Sequence, residues 1–250
     1  MQIFELHIFG LTIAPTYYGL AYALGILGAY YWVLKRGRFS SIDLDHLLWT
    51  VVGGIIIGGR LGYILFYNLP YYLHDPFKIL ALHEGGMSFH GGIIGVVIGI
   101  SVFSYIKRIP LLMIGDEIGI TIPIGIFLGR IANYLNNELV GYAGYTGPFA
   151  MLQNGIYHFP SPLLEAFLEG IVLVCVLIIA RYFTNRTGVI SGLFLSLYAL
   201  ARLFVEGFFR LPDVQIGYIM GLTMGQILSL PLLIAGLGIL VYSFSTRRYA

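Results

Sequence analysis

The chain has 250 residues, of which 58% are hydrophobic and only 10% are charged, and its mean hydropathy is +0.86. A soluble domain needs a polar surface and does not reach these values, so the composition indicates a helical protein that crosses a membrane several times. The formal net charge of +2 is too small to indicate a nucleic-acid partner. The single cysteine, Cys175, excludes a disulfide framework within the chain and a CxxC metal site.

Seven apolar runs follow one another along the chain, separated by charged segments or by segments with Pro and Gly. Each is close to the roughly 20 residues that a helix needs to cross about 30 Å of hydrocarbon. The runs predict an all-α integral membrane protein, with one polytopic domain over residues 1–250 and a small outer segment at 137–161. The predicted spans are residues 17–34, 47–67, 88–106, 113–136, 162–182, 189–209 and 222–244.

The basic residues between the predicted spans indicate the orientation of the chain. Alternate loops and the C-terminal tail carry Lys35, Arg36, Arg38, Lys107, Arg108, Arg181, Arg186, Arg247 and Arg248. The opposite loops hold only Lys78, with Arg210 at the end of a span. Because cytoplasmic loops are enriched in Lys and Arg, we expect the N-terminus outside and the C-terminus in the cytoplasm.

Three arginines, Arg60, Arg130 and Arg202, lie inside apolar spans. Each lies past the midpoint of a span that runs outward, about 8 to 12 Å from its outer end. A guanidinium near the bilayer centre costs roughly 2.5–3.5 kcal/mol on insertion scales, so it marks a site with a counter-ion or an anionic ligand. The planar fork of Arg suits phosphate, which makes an anionic headgroup the natural ligand.

Other polar residues lie at the same outer side of the predicted spans, and several share helix faces with the arginines. The segment GRIANYLNNE at 129–138 places Arg130, Asn133 and Asn137 on one face. Span six carries a stripe with i, i+4 spacing that can hold a buried ion pair, formed by Tyr198, Arg202, Glu206 and Arg210. The outer ends of other spans carry Tyr17, Tyr18, His90, Glu138, Glu165 and Glu169.

Three other interpretations of these charges exist. Arg202 with Glu206, and Arg130 with Glu138 or Glu169, can neutralise one another and simply tie helices together. A transporter or lipid flippase would also bind an anion, but its charges should lie near the midplane, at broken helices that are reachable from both sides. A structural scaffold would not need so many buried arginines. The one-sided distribution favours an outward-facing anion pocket.

A second polar feature is the segment HEGGMSFHGG at 83–92, at the outer end of span three. Its glycines allow a backbone to approach a ligand closely, and His90 is a candidate base because the ordinary pKa of His is near 6.5. A hydrogen-bonded structural histidine is the alternative. The chain has no HExxH, Walker or GxSxG motif, so metalloprotease, ATPase and serine-hydrolase functions have no support.

Several segments together resemble the bacterial prolipoprotein diacylglyceryl transferase family. They are GRIANYLNNE at 129–138, GGRLGYILFYN at 58–68, GGMSFHGG at 85–92, PFAML at 148–152, SGLFL at 191–195, RLFVEGFFRLPD at 202–213 and MGQILSLP at 224–231. The resemblance implies a multi-pass enzyme of the bacterial inner membrane, with its N-terminus in the periplasm and its active site toward the periplasmic half. Such an enzyme moves the diacylglyceryl group of phosphatidylglycerol onto the lipobox cysteine thiol of a preprolipoprotein signal peptide. One segment departs from the family pattern, since Pro160 to Glu165 reads PSPLLE where the family usually has PSQLYE.

The chemistry of this reaction assigns provisional roles to the polar residues. Arg130 and Arg202 would hold the phosphate and stabilise the leaving group, and Arg60 would be a further phosphate contact. His90 is the candidate base, with Glu138 and Glu206 as alternatives if burial raised the pKa of either carboxyl. The remaining substrate-binding or orienting candidates are Asn133, Glu138, Tyr18, Tyr198 and Glu206. We expect no metal and no organic cofactor.

Overall fold

The computed structural model describes residues 6–8, 11–13, 16–82, 85–212 and 217–245. Helices dominate the described residues. They are α1 (Tyr17–Arg36), α2 (Ser41–Tyr67), α3 (Leu69–His74), a 3₁₀ turn (Pro76–Leu80), α4 (Phe89–Lys107), α5 (Leu111–Gly119), α6 (Ile122–Leu135), α7 (Ser161–Glu165), a π-helical segment (Ala166–Val172), α8 (Leu173–Phe183), α9 (Val189–Phe208) and α10 (Met224–Ser245).

Short antiparallel hairpins complete the described secondary structure. They are formed by β1 (Leu6–Ile8) with β2 (Leu11–Ile13), β3 (Met151–Gln153) with β4 (Ile156–His158), and β5 (Tyr218–Ile219) with β6 (Leu222–Thr223). The β3–β4 turn consists of Asn154 and Gly155, whose φ angles are 52° and 79°. Two positive φ angles are what a tight hairpin turn requires, and Asn-Gly is the pair that adopts them most readily. This hairpin lies within the segment 137–161 that the sequence predicts between two spans.

The length and apolar composition of the helices indicate a membrane protein. Five helical segments of the described chain are long and apolar enough to cross a membrane, and a bent pair, α5 with α6, makes up to six. The first predicted span, 17–34, coincides with α1, but this helix is rich in tyrosine and is not among those six. Seven spans and the orientation of the termini therefore stay predictions.

The predicted span at 113–136 is bent rather than straight. Its two helices meet at 47°, with the break between Gly119 and Ile122. Pro123 lies in the first turn of α6, where a missing N–H does no harm, whereas inside a continuous helix its ring would clash with the carbonyl four residues earlier. The break fixes the direction of α6, which carries Arg130 toward its C-terminal end.

The described chain divides into two compact units, Val33–Ile114 and the combination of Met1–Trp32 with Gly115–Ala250. We call them the α2–α4 unit and the α6–α10 unit. A single domain over 1–250 stays a prediction. In the α2–α4 unit, helices α2 and α4 pack through glycines, and a Cβ at Gly58 would overlap the backbone of Gly91 and Gly95. Small residues at such positions let two membrane helices approach to backbone contact.

The α6–α10 unit has an apolar core and a polar anchor near the predicted cytoplasmic side. The core contains Ile120, Leu173, Leu177 and Ile190. At the start of α9, the Asp116 carboxylate accepts hydrogen bonds from the backbone N–H of Gly188 at 2.6 Å and of Ser191 at 2.8 Å. A carboxylate there satisfies N–H groups that have no partner inside the helix and complements the positive end of its dipole. Arg181 also pairs with buried Glu117.

Candidate active site

A cluster of three arginines and three glutamates lies inside the α6–α10 unit. Helix α6 supplies one arginine, the helical stretch 161–183 supplies two glutamates, and α9 with the residues directly after it supplies the rest. We call this set the arginine–glutamate cluster: Arg130, Glu165, Glu169, Arg202, Glu206 and Arg210.

Glu165 is the centre of the arginine–glutamate cluster. Its Oε1 accepts hydrogen bonds from Arg202 Nη1 at 2.8 Å and from Arg210 Nη1 at 3.2 Å. Its Oε2 lies 3.1 Å from Arg130 Nη1. The Glu165 side chain has no solvent exposure, so each ion pair forms without competition from water. One carboxylate thus holds three guanidinium groups together.

Glu169 makes a second bridge, mainly to Arg130. Its Oε2 accepts from Arg130 Nε at 3.2 Å and from Nη2 at 3.0 Å, and its Oε1 is 3.6 Å from Arg202 Nη1. It lies in the π-helical segment, whose wider turn shifts the register that an α-helix would give the side chains. At Gly170, a Cβ would overlap Phe127 of α6, so the glycine lets the π-helical segment approach α6. This approach brings Glu169 within reach of Arg130.

The stripe on α9 forms the predicted buried ion pair. Arg202 Nη2 donates to Glu206 Oε1, one helical turn later, and Arg210 Nη1 lies 3.2 Å from the same oxygen. A Cβ at Gly225 of α10 would overlap the Glu206 carboxylate and approach Arg202. The pairing of Arg202 with Glu206 is therefore confirmed, and the arginine–glutamate cluster extends it to Arg210.

The formal charges of the arginine–glutamate cluster cancel when all three carboxylates are ionised. The least enclosed guanidinium belongs to Arg130, whose side chain is 14% exposed, against 11% for Arg202 and 6% for Arg210. An anion would thus meet arginines that are already paired, with Arg130 the most accessible. Tyr198 lies one helical turn before Arg202 on α9, is partly buried and stacks on Phe194.

A second polar group in the α6–α10 unit joins Tyr18 of α1 to the end of α6. The Tyr18 hydroxyl donates to Glu138 Oε2, and Asn133 Nδ2 donates to the Tyr18 hydroxyl and, at 3.3 Å, to Glu138 Oε2. Glu138 therefore does not pair with Arg130, whose carboxylate partners are Glu165 and Glu169. We call these three residues the tyrosine–glutamate triad.

The turn after α6 explains how Glu138 reaches the triad. The Glu138 backbone N–H donates to the Asn133 carbonyl at 2.9 Å, and the residues on either side of Glu138 have φ angles of 58°. Asn137 consequently leaves the helix face that it was predicted to share with Arg130, and its side chain donates to the Leu152 carbonyl. Asn133 remains on α6 and is buried.

Two further candidate residues, Arg60 and His90, belong to the α2–α4 unit. His90 is exposed in the first turn of α4, two residues after Ser88, whose hydroxyl accepts from the Gly91 N–H at 3.2 Å and caps the helix. Arg60 is buried, and its side-chain N–H groups donate to the backbone carbonyls of Lys78, Ile79, Ala81, Gly85 and Gly86. Neither observation tests the predicted roles of base and phosphate contact. His83 and Glu84 of the same motif lie outside the described residues.

The sequence profile of the prolipoprotein diacylglyceryl transferase family matches residues 5–242. The chain belongs to this family. A transferase from Rhodospirillum rubrum is 43% identical to it, over 95% of this chain and 91% of that protein. A Rickettsia bellii relative is 42% identical (92% and 91% covered), and one from Rhizobium meliloti is 42% identical (90% and 86%). Each bears the name phosphatidylglycerol–prolipoprotein diacylglyceryl transferase.

For this member of the diacylglyceryl transferase family, the sequence identified the arginines of the site more readily than their partners. Arg210 was predicted as part of the stripe on span six, Glu169 as one of two alternative partners of Arg130, and Glu165 only as an outer-side polar residue. The i, i+4 spacing of Glu165 and Glu169 in an otherwise apolar span was the available signal, because two carboxylates there need cationic partners. In the described part of the chain, no three His, Cys, Asp or Glu side chains converge in a metal-binding arrangement.

Proposed function

We propose that this chain transfers the diacylglyceryl group of phosphatidylglycerol to the lipobox cysteine thiol of preprolipoproteins, in the first step of bacterial lipoprotein maturation. The observation that carries the proposal is the family match over residues 5–242, together with relatives of that name aligned over most of their length. The arginine–glutamate cluster supports it, because guanidinium groups are suited to a phosphate.

The reaction is a displacement at a glycerol carbon. The cysteine thiol loses its proton to a base, the sulfur forms a C–S bond, and the C–O bond to phosphate breaks with its electron pair leaving on oxygen. The products are a thioether and glycerol phosphate, which carries the additional negative charge. A free thiol has a pKa near 8.5, so the site must favour the thiolate and stabilise the departing phosphate.

Arg130 and Arg202 supply the stabilisation of phosphate in this proposal. Glu165 and Glu169 hold the two guanidinium groups side by side before the lipid arrives, which avoids the cost of gathering two like charges during the reaction. A phosphate oxygen can then approach the more exposed Arg130 while Glu165 and Glu169 keep their own contacts with it. Glu206 orients Arg202, and Tyr198, one helical turn before Arg202 on α9, is proposed as a headgroup contact.

The tyrosine–glutamate triad contributes polar groups for the glycerol headgroup. Phenol, amide and carboxylate together can donate to and accept from hydroxyl groups, which is what a glycerol end presents. His90 is proposed as the base that removes the thiol proton, and Glu138 and Glu206 remain the alternatives. No metal or organic cofactor has a step in this mechanism.

The finer proposal for location is the bacterial inner membrane, with the N-terminus in the periplasm, the C-terminus in the cytoplasm and the site toward the periplasmic half. The distribution of Lys and Arg supports this orientation. Both substrates are membrane-borne, so the lipid can enter from the side between helices. The lipobox cysteine would arrive at the outer end of a signal-peptide helix.

A transfer assay separates this function from lipid transport. Purified protein is incubated with phosphatidylglycerol and a peptide that contains a lipobox cysteine, and the peptide mass is measured; a matched peptide with serine in place of that cysteine is the control. A diacylglyceryl mass gain on the cysteine peptide alone supports the transferase. Movement of phosphatidylglycerol between leaflets without any gain in peptide mass would favour a flippase instead.

A further inference from the structure

The Arg60 side chain donates hydrogen bonds to five backbone carbonyls. Nε donates to the Ile79 carbonyl at 2.9 Å, Nη1 to Gly85 and, at 3.2 Å, to Gly86, and Nη2 to Lys78 and, at 3.1 Å, to Ala81. A guanidinium has five N–H donors in a rigid fork. All five are therefore used by the backbone of one short segment, residues 78–86, which we call the Arg60-anchored segment.

Arg60 is also enclosed on its other sides. Its residue exposure is 3%, and its guanidinium lies over the Tyr72 ring, 5.1 Å from the centroid. A phosphate could bind this group only by displacing backbone carbonyls, and each displaced carbonyl would lose a hydrogen bond to a charged donor, which is stronger than one between neutral groups. The arginines of the arginine–glutamate cluster differ, because their partners are carboxylate side chains.

The Arg60-anchored segment leads directly into α4. Ser88 follows it, donates its backbone N–H to the carbonyl of Gly59 at 2.8 Å and caps α4 through the Gly91 N–H. A Cβ at Gly86 would overlap the Tyr63 ring and approach Arg60 Nη1, so this glycine lets the segment lie flat on α2. Gly59 and Arg60, which are neighbours on α2, thus hold the chain on both sides of Met87. His90 lies just beyond, in the first turn of α4.

We infer that Arg60 is a positioning residue: it fixes the Arg60-anchored segment on α2 and thereby sets where α4 begins and where His90 is presented. The inference rests on the proposed transfer reaction for its catalytic consequence, while the anchoring is independent of that reaction. Arg60 lies toward the C-terminal end of α2, where its positive charge meets the negative ends of several carbonyl dipoles of the adjacent segment. Its charge serves the fold of the segment rather than the lipid phosphate.

Lysine distinguishes anchoring from phosphate binding. A lysine keeps the positive charge but has three donors at one point, so it cannot reach five carbonyls that surround a planar fork. A phosphate contact would be partly retained by Arg60→Lys, whereas the anchor would be lost. Gly86→Ala is the matched second variant, because it leaves Arg60 intact but brings a methyl group against Tyr63, at a φ of 78° that side chains disfavour.

The experiment measures amide hydrogen exchange across residues 78–92 and steady-state transfer for the wild type, Arg60→Lys and Gly86→Ala. We expect both variants to exchange faster at the Ser88 amide and to lose kcat by at least about tenfold, because a displaced base loses its contribution. The KM for phosphatidylglycerol should stay within about twofold, since no ground-state contact to the lipid is removed.

The opposite pattern would overturn the inference. Unchanged exchange in Arg60→Lys, or a raised KM with unchanged kcat, would assign Arg60 to the phosphate. If Arg60→Lys does not fold, the Gly86→Ala variant alone tests the inference. Wild-type exchange together with wild-type kcat in Gly86→Ala would refute the role of Arg60 as an anchor of the segment. Absence of transfer by the wild-type protein would refute the proposed function instead, and the exchange data would still test the anchoring.

Discussion

Arg60 and Arg130 each follow a glycine in an apolar helix, yet their guanidinium groups have different partners. Arg60 donates to backbone carbonyls of an adjacent segment, and Arg130 is held by the carboxylates of Glu165 and Glu169. The Arg130 side chain is 14% exposed, so a phosphate can approach it while its carboxylates stay in place, whereas the carbonyls around Arg60 can leave only if the segment detaches. We therefore propose that the partners of an arginine in an apolar helix, and not its predicted depth alone, decide whether it is a candidate anion site.

The largest expected effect is that of Arg130→Ala. We expect transfer to fall by at least about 10³-fold, because removal of even one preorganised donor to a developing anion costs about 10²–10³. The variant leaves Glu169 buried without its main cation, which destabilises the fold, so Arg130→Ala/Glu169→Gln is the matched control. Mass spectrometry of a lipobox peptide checks the rate. Robust thioether formation by the double variant would remove Arg130 from the phosphate site.

The next effect concerns the base. His90→Asn should lower kcat by at least about tenfold, with the protein still folded, because a general base contributes at least that much and His90 is exposed at the start of α4. Glu138→Gln is the matched comparison, since it neutralises the alternative base in the other unit. An unchanged rate in His90→Asn, with a loss in Glu138→Gln, would transfer the role to Glu138.

A smaller effect is expected within the tyrosine–glutamate triad. Tyr18→Phe removes the hydroxyl that donates to Glu138 and accepts from Asn133. A typical net hydrogen bond is worth about 0.5–1.5 kcal/mol, so transfer should fall by about two- to tenfold, mainly through KM for the lipid. Kinetics at varied phosphatidylglycerol concentration check this. Wild-type KM together with wild-type kcat would exclude the triad from the headgroup site.

The smallest effect on transfer is expected from the ion pair between Arg181 and Glu117, neither of which belongs to the arginine–glutamate cluster or the tyrosine–glutamate triad. Replacement of Arg181 alone by Met removes the cation that pairs with buried Glu117 and should cost about 3–5 kcal/mol of stability, while Arg181→Met/Glu117→Leu should be close to neutral. Thermal unfolding measures the stability. Transfer per folded molecule should stay at the wild-type value in both variants. A large loss in the double variant would show that a buried ion pair outside the arginine–glutamate cluster also matters for transfer, which would contradict this prediction.

Local sequence spacing predicted the parts of the site that depend on a single helix. Arg202 and Glu206 are one turn apart on α9, so their pairing follows from helix geometry. The five helical segments that can cross a membrane, and the bent pair of α5 with α6, likewise follow from apolar length. Helix α1 also coincides with a predicted span, but its tyrosines lower its hydropathy and it is not among these segments.

Contacts between helices were not predictable in the same way. The partner of Arg130 was left open between Glu138 and Glu169, because the choice depends on how α6 packs against the π-helical segment. Asn137 was assigned to the wrong face because periodicity assumes that the helix continues, whereas the chain turns with a φ of 58°. The five carbonyl partners of Arg60 are backbone groups, and no residue type in the sequence marks them.

The most direct test of whether the carboxylate-paired arginines hold the lipid phosphate is a binding measurement. It compares the affinity for phosphatidylglycerol of Arg130→Ala/Glu169→Gln with that of Arg60→Lys and of the wild type. The lipid is titrated into each purified variant in a neutral detergent. The double variant should bind at least about tenfold more weakly than the wild type, because a charge-assisted contact worth at least about 1.4 kcal/mol is lost, and Arg60→Lys should bind like the wild type. Wild-type affinity in the double variant, with weakened binding in Arg60→Lys, would contradict the account.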